Sequence, residues 1–180
     1  MKYIALLRGI NVSGQKIIKM EELKTIFESF GLKNVQTYIQ SGNVLFDSAE
    51  KNAQTLTKKI ENGLQKSLSY KVTVVLRTKS ELEQTIKRNP FPKLQPEKEK
   101  RLYVTFLSDE PENARKKELL NSPNDVESYE IIGREVYILC DAKGFGSTKF
   151  NNNYIEKKLA LSATTRNWNT VNKLVGLAQK

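Results

Sequence analysis

The order of apolar patterns along the chain is the feature that most constrains its fold. In residues 2–8 both alternating sets are largely apolar, which is typical of a central strand covered on both faces. Residues 20–30 then carry apolar side chains at helical spacing, and Gly31 is a natural C-cap. Two strands joined by a tight turn at residues 41–43 follow, and after them a second helical stripe and a fourth strand. The order is β-α-β-β-α-β, which predicts two helices over an antiparallel sheet.

The second half of the chain repeats this order. Residues 102–107 predict a strand, residues 111–120 a helix, Gly133-Arg134 the turn of a hairpin, and residues 150–160 another helix. No fourth strand pattern follows, and Trp168 begins the apolar stripe of a final helix. The predicted fold class is therefore α+β, with two ferredoxin-like (βαββαβ-type) modules in tandem, the second with a C-terminal helix in place of its last strand. We expect a repeat of topology without a convincing repeat of residues.

A proline-rich stretch separates the two patterns. Three prolines fall at Pro90, Pro92 and Pro96, and a charged stretch follows them. Such a segment is typical of a linker. The sequence therefore predicts a first module over 1–88, a Pro-rich linker over 89–100, and a second module over 101–180.

Composition excludes several kinds of chemistry. The chain has no histidine, which removes Ser-His and Cys-His nucleophile pairs and His-ligated zinc. Cys140 is its one cysteine, so neither a disulfide framework nor a cysteine metal cluster is expected, and a buried thiol is the simplest interpretation. The sequence predicts no metal site, and it leaves the catalytic residues and the cofactor unassigned.

Charge and hydropathy limit the partners. No apolar run approaches the roughly 20 residues of a membrane helix. The apolar stretch before Arg8 is shorter than the roughly 7–15 residues of a signal peptide core. We therefore expect a cytoplasmic protein without a membrane partner, and leave its oligomeric state open. The net charge of +10 favours phosphate-rich partners, although a lysine-rich composition with scattered lysines explains it without any such partner.

Four polar segments could hold a functional site. Residues 8–14 follow the first strand, where glycines allow close approach and Arg8 could bind a phosphate or carboxylate, although simple turns explain them too. Residues 38–43 fit a hairpin turn, which accounts for Tyr38 and Gln40 less well than for the residues after them.

The other two segments lie in the second half. Residues 143–149 form a Gly-rich loop whose amides and lysines could hold an anion, or else a plain surface loop. Residues 164–170 are predicted to open the last helix, with Thr164 or Thr165 as its N-cap. Arg166 would then oppose the helix dipole unless an anion is bound there or a carboxylate pairs with it.

Three of these stretches resemble the signature segments of a bacterial family known as domain of unknown function 1697. The stretches are residues 5–12, 37–43 and 164–171, in that order, and the likeness spans residues 2–177. The resemblance implies a two-module fold with ferredoxin-like halves, and it does not assign an activity. Ser13 stands where the family usually has a second glycine, and Thr148 separates Ser147 from Lys149 where the family places the serine directly before the lysine.

The working site combines residues from both halves. We expect the first and third strands to be parallel neighbours, which puts the loop after Arg8 and the 41–43 turn at opposite ends of the sheet. The expected anion-binding residues are Arg8, Asn11, Lys149, Arg166 and Asn167. The lesser candidates are Tyr38, Gln40 and Asn43.

Three functions from different classes fit these residues. The first is a binding module for nucleic acid or another phosphorylated ligand, motivated by the charge and by the fold that RNA-binding modules also use. The second is a histidine-independent enzyme acting on a phosphorylated or carboxylated small molecule. The third is a structural or regulatory protein-interaction domain, in which the motifs only shape turns and caps.

Overall fold

The computed structural model describes residues 1–12, 14–91, 100–121, 127–141 and 150–179. The predicted α+β class with two tandem modules is confirmed, and the βαββαβ order of the first half is as predicted. In chain order the elements are β1 (Lys2–Leu7), α1 (Met20–Ser29), β2 (Lys33–Tyr38), β3 (Asn43–Asp47), α2 (Ala53–Leu68), β4 (Val74–Thr78), α3 (Lys79–Lys87), β5 (Lys100–Leu107), α4 (Asn113–Leu120), β6 (Glu127–Ile132), β7 (Glu135–Asp141), α5 (Asn152–Leu159), β8 (Ala163–Asn167) and α6 (Trp168–Ala178).

The strands form two four-stranded antiparallel sheets. Their orders are β2-β3-β1-β4 and β6-β7-β5-β8, so the first strand of each module lies inside its sheet. In β1, the residues from Tyr3 to Leu7 are at most 1% exposed. This explains why both alternating sets of β1 are apolar, since each face of the strand is buried.

The core of the first module lies between one sheet face and two amphipathic helices. Leu56, Ile60 and Leu64 recur every fourth residue of α2 and share a buried cluster with the sheet residues. Phe27 of α1 joins them, with its ring centroid 5.7 Å from that of Phe46 in β3. The i, i+4 spacing in the sequence therefore identifies the helix faces that build this core.

The core of the second module is built in the same way. Ile155 and Leu159 of α5 share a buried cluster with Val136, Ile138 and Cys140 of β7. The expectation that Cys140 is buried is confirmed. Burial, with a smaller contribution from Glu127, raises the pKa of the Cys140 thiol to about 12, so the thiol is protonated at neutral pH.

The predicted absence of a last strand in the second module is wrong. β8 pairs antiparallel with β5, with Ala163 opposite Leu107. The strand was missed because most of its side chains are polar and show no apolar alternation. The polar side chains of this strand are hydrogen-bonded. Thr165 Oγ1 lies 2.7 Å from Thr105 Oγ1, and the Thr165 hydroxyl donates to Asn152 Oδ1 at 2.8 Å.

The two sheets also repeat at the level of a buried arginine, which the sequence did not reveal. Arg77 of β4 stands opposite Ile4, and Arg166 of β8 stands opposite Val104. Each guanidinium donates at 2.8 Å to the backbone carbonyl of its preceding residue. The repeat therefore includes a specific side-chain arrangement as well as the topology.

The chain forms two compact units. One contains Met1–Leu82 with Leu174–Lys180, and the other contains Glu83–Lys173. The division falls within α3 and α6, whereas the sequence placed it in a linker at 89–100. Residues 92–99 of that segment lie outside the described residues. Among the helices the structure describes, none has the length and apolar character needed to cross a membrane.

Two connections of the first module are longer than their counterparts in the second. Between β1 and α1 the first module has residues 8–19, whereas between β5 and α4 the second has only residues 108–112. The β2–β3 turn comprises residues 39–42, and the β6–β7 turn only residues 133–134. The first module is therefore the longer one at both places.

Candidate functional site

The first two motif segments meet at one end of the two central strands of the first sheet. β1 and β3 are antiparallel, with Leu6 opposite Asn43, and the Leu7 amide donates to the Gly42 carbonyl at 2.8 Å. The expectation of opposite ends is wrong, because it assumed that these two strands are parallel. The end of β1 and the start of β3 instead bring both segments together.

Asn11 links the two segments through its side-chain amide. Its Nδ2 donates to the carbonyls of Ile18 at 3.0 Å and Gln40 at 2.9 Å, and its Oδ1 accepts from the Ile18 amide at 2.8 Å. Both amide hydrogens thus have partners within the protein. Asn11 therefore positions the loop backbone, and we call residues 8–12, 14–18 and 38–42 the loop platform.

Further contacts fix the loop platform in place. The ammonium of Lys16 donates to the Lys71 carbonyl at 2.8 Å and lies 5.5 Å from the ring centroid of Tyr70. The Arg8 amide donates to the Thr73 carbonyl at 2.9 Å. The 8–18 segment is therefore held both by the hairpin and by the chain that enters β4.

Gly42 is required by close packing as well as by its backbone. Its φ is +76°, and a Cβ at this position would lie 2.7 Å from Ile10 Cδ1 and 2.9 Å from Leu7 Cβ. Ile10 itself is buried. The hairpin turn can therefore rest directly on the start of the loop only because residue 42 lacks a side chain.

Left-handed backbone is concentrated in the loop platform. Six of its residues have positive φ: Gly9, Asn11, Gly14, Lys16, Ile39 and Gly42. Ile39, at φ +47°, is the unusual member because a β-branched side chain disfavours this conformation. A non-glycine residue there carries a strain of about 1–2 kcal/mol.

The loop platform exposes branched apolar side chains. Val12 is 55% exposed, Ile17 74% and Ile39 45%, and they are three of the five exposed large hydrophobic residues among those described. Val12 follows Asn11, Ile17 precedes Ile18, and Ile39 precedes Gln40. Each therefore lies next to a residue in the Asn11 hydrogen-bond network. Sequence reasoning did not single out any of the three as exposed. The one available signal was that Ile17 lies outside the helical stripe of α1.

The lesser candidates take structural positions in the hairpin. Asn43 is fully buried, and its Nδ2 donates to the Tyr38 carbonyl at 2.9 Å and to Ser41 Oγ at 3.1 Å. Tyr38 is half-buried at the end of β2, and Gln40 is exposed and offers its carbonyl to Asn11. The side chain of Asn43 and the backbone of the other two thus shape the turn.

Arg166 lies on β8, not at the start of a helix as predicted. It is 6% exposed, and its Nη1 donates to Thr164 Oγ1 and to the Thr165 carbonyl, both at 2.8 Å. Burial lowers the pKa of Arg166 to about 10, so the guanidinium is still protonated at neutral pH. Because the residue belongs to a strand, the conflict with the helix dipole that motivated an anion at this position does not arise.

Asn167, not Thr164 or Thr165, caps the last helix. Its Oδ1 accepts from the Thr170 amide at 2.8 Å, which is the usual bond of an N-cap side chain. Trp168 is half-buried at the first position of α6. The predicted cap was placed too early because the strand before it was not recognised.

The predicted site residues therefore fall into three groups. Arg8, Asn11 and the hairpin candidates lie on or beside the loop platform of the first module, and Arg166 and Asn167 lie in β8 of the second. Lys149, with the rest of the Gly-rich segment 143–149, lies outside the described residues. Within the described ranges no cluster of three or more Cys, Asp or Glu residues could hold a metal ion.

Comparison with known proteins places the chain in a family. A family model described as a protein of unknown function (DUF1697) matches residues 1–137. The chain belongs to the DUF1697 family. This confirms the resemblance seen in the motifs, and the match contains the whole loop platform of this DUF1697 protein.

A solved structure shares the fold of this DUF1697 chain. The conserved bacterial protein SP0830 from Streptococcus pneumoniae matches with a TM-score of 0.77 at 22% identity, over 99% of this chain and 98% of that chain. No curated protein matches in sequence. At this identity the structural likeness establishes the two-module fold and nothing further.

Proposed function

We propose that this DUF1697 protein is a binding module that uses the loop platform to dock another protein. The observation that carries the proposal is the exposure of Val12, Ile17 and Ile39 on backbone that Asn11 holds in place. Clustered apolar side chains at the surface are typical of interaction sites, whereas isolated ones are common everywhere. Here all three are tied to one hydrogen-bond network.

The conformation of Ile39 supports this proposal. The residue has a left-handed backbone, yet its side chain is 45% exposed, so much of it gains no packing within the chain. Strained residues persist where the surrounding structure fixes them, and they concentrate at functional sites. An exposed and strained isoleucine is accounted for if a partner covers it.

The length of the two connections supports it as well. The second module closes the same fold with residues 108–112 and the turn 133–134, where the first uses residues 8–19 and 39–42. The longer connections of the first module are therefore not needed to form a βαββαβ sheet. Loops that exceed the needs of the fold commonly carry function.

The internal contacts of the loop platform suit a docking surface. Asn11, Lys16 and Gly42 fix its backbone before any partner arrives. Because little backbone freedom then remains to be lost, association is less opposed by entropy. A preformed surface of this kind suits rigid docking better than coupled folding.

A photo-crosslinking amino acid at position 17 tests the proposal in cells. We expect a discrete adduct with another protein, identified by mass spectrometry. Leu120 of α4 is also 45% exposed and apolar, so the same crosslinker at position 120 is a matched control. The adduct should disappear when Ile39→Ser is added. No adduct at 17, or the same adduct from position 120, would contradict the proposal.

A phosphorylated ligand, including single-stranded nucleic acid, is the second candidate function. Gly9 and Gly14 leave open space over the backbone of a loop that also carries Arg8 and Lys16. A labelled oligonucleotide and inorganic phosphate would be titrated separately at low and high salt. Steep weakening of oligonucleotide binding by salt favours nucleic acid, whereas phosphate binding that persists favours a small ligand. If neither ligand binds, this candidate is excluded.

The cytoplasmic location expected from the sequence stays a prediction.

A further inference from the structure

The charges of the loop platform indicate what kind of partner it would bind. Residues 8–18 and 38–42 include Arg8 and Lys16 but no aspartate or glutamate. Lys71, whose carbonyl accepts from Lys16, and exposed Lys19 add two cations at the border. The segments that carry the exposed apolar side chains therefore contain positive but no negative side chains.

Three carboxylates lie near this border, and the cations still outnumber them. Glu21 and Glu22 occupy the first turn of α1, where acidic side chains favour the helix dipole. Glu22 is close enough to Tyr70 to contribute to the raised pKa of that phenol, whose main cause is burial. The third is Glu61, whose carboxylate accepts from the Val74 amide at 2.8 Å, beside the Thr73 carbonyl that accepts from Arg8. Against these three stand Arg8, Lys16, Lys19 and Lys71, which leaves an excess of one positive charge.

We infer that the partner presents an acidic segment with branched or aromatic apolar side chains, an inference that rests on the proposed docking function. Its apolar side chains would cover Val12, Ile17 and Ile39, and its carboxylates would face the surrounding cations. Complementary charge of this kind speeds association and rejects wrong partners more than it adds affinity.

The same charges make other occupants poorer fits. A second copy of the chain would also carry +10, so two platforms would meet with like charge. Single-stranded nucleic acid is usually held by aromatic side chains on which bases stack, and the three exposed side chains have no rings. An acidic and apolar protein segment satisfies both the charge and the apolar surface.

A peptide-display selection on the full chain tests the inference, with the Ile17→Ser variant as a parallel bait. Peptides enriched on the wild-type chain alone should combine acidic with branched or aromatic residues. A synthetic copy of one such peptide should bind about tenfold more weakly to Ile17→Ser. It should also bind more weakly as salt rises.

Charge variants separate the acidic inference from the docking function. Lys19→Glu with Lys71→Glu should weaken the peptide severalfold, while Lys117→Glu on α4 is a control that should leave it unchanged. Thermal unfolding of each variant would show that the fold is kept. Salt-independent peptides without acidic residues would overturn the acidic inference and leave docking intact.

Two outcomes would remove the docking function as well. The first is the same peptide enrichment on wild-type and Ile17→Ser baits, or none on either. The second is binding to phosphatidylserine vesicles that Ile17→Ser abolishes, with no peptide selected, which would assign the surface to lipid.

Discussion

At the scale of single residues, Asn11 shows why the candidate site is hard to find from sequence. Its motif was recognisable, and so were the glycines around it. Its partner Gln40, however, lies 29 residues away, and the bond goes to a backbone carbonyl, which carries no side-chain signature. The expected role of Asn11 was ligand binding, whereas the structure uses its amide to join two loops.

Gly42 and Gly14 form a matched pair for a test of loop packing. Both have a similar left-handed backbone, at φ +76° and +73°, but a Cβ meets close neighbours only at residue 42. We expect Gly14→Ala to lower the free energy of unfolding by about 1–2 kcal/mol through strain alone. Gly42→Ala should lower it by about 1–3 kcal/mol more, because Ile10 and Leu7 must move.

Urea denaturation of the two variants checks this difference. Equal losses of stability would mean that the hairpin does not rest tightly on the loop. In that case Gly42 would serve only the turn conformation, and the hairpin would not support the start of the 8–18 segment.

At the scale of elements, the sequence predicted what local periodicity controls. The spacing of Leu56, Ile60 and Leu64 identified α2, and the apolar runs identified β1 and β5. β8 was missed because its stability comes from pairing with β5 and from hydrogen bonds among buried polar side chains. Such partners lie far away in the chain, so no local pattern reports them.

Asn167 tests the corrected start of α6. Since its Oδ1 accepts from the Thr170 amide, Asn167→Ala should lower the free energy of unfolding by about 1 kcal/mol. Asn167→Asp keeps an acceptor at the cap and should retain most of this stability. Urea denaturation measures both variants. Equal effects of Ala and Asp would show that the side chain does not cap the helix.

At the scale of the whole molecule, the two modules share topology and a buried arginine, but differ in the loops that form the platform. The tandem order, apart from β8, could be predicted because each module carries its own periodic pattern. The exposure of Val12, Ile17 and Ile39 could not, since it depends on loop conformation. At the β1–α1 and β2–β3 connections the second module shows that shorter segments suffice for the fold.

Alkaline pH should destabilise the protein. Burial raises the pKa of Cys140 to about 12 and also raises the pKa of Tyr129 and Tyr137. These groups are neutral in the fold, but in the unfolded chain they ionise at their ordinary, lower values. Their contribution is therefore complete below about pH 9 and declines as pH rises through about 12. The urea midpoint should fall between about pH 8 and pH 10.5.

Cys140→Ala isolates the thiol in this experiment. Removing the group should make the decline with pH shallower, by at most about 1.4 kcal/mol per pH unit. An unchanged slope would mean that the thiol ionises similarly in both states. Tyr137→Phe, which keeps the ring and removes the ionisable hydroxyl, provides the same comparison for a tyrosine.

The burial of Cys140 has a practical consequence for selective chemistry on this protein. Its thiol is fully covered and, with its raised pKa, is overwhelmingly protonated at neutral pH, so alkylating reagents meet neither the sulfur nor a thiolate. A cysteine introduced at position 17, where the present side chain is 74% exposed, would therefore be the one reactive thiol of the folded chain. A single fluorophore or spin label could therefore be attached to the loop platform without first replacing Cys140.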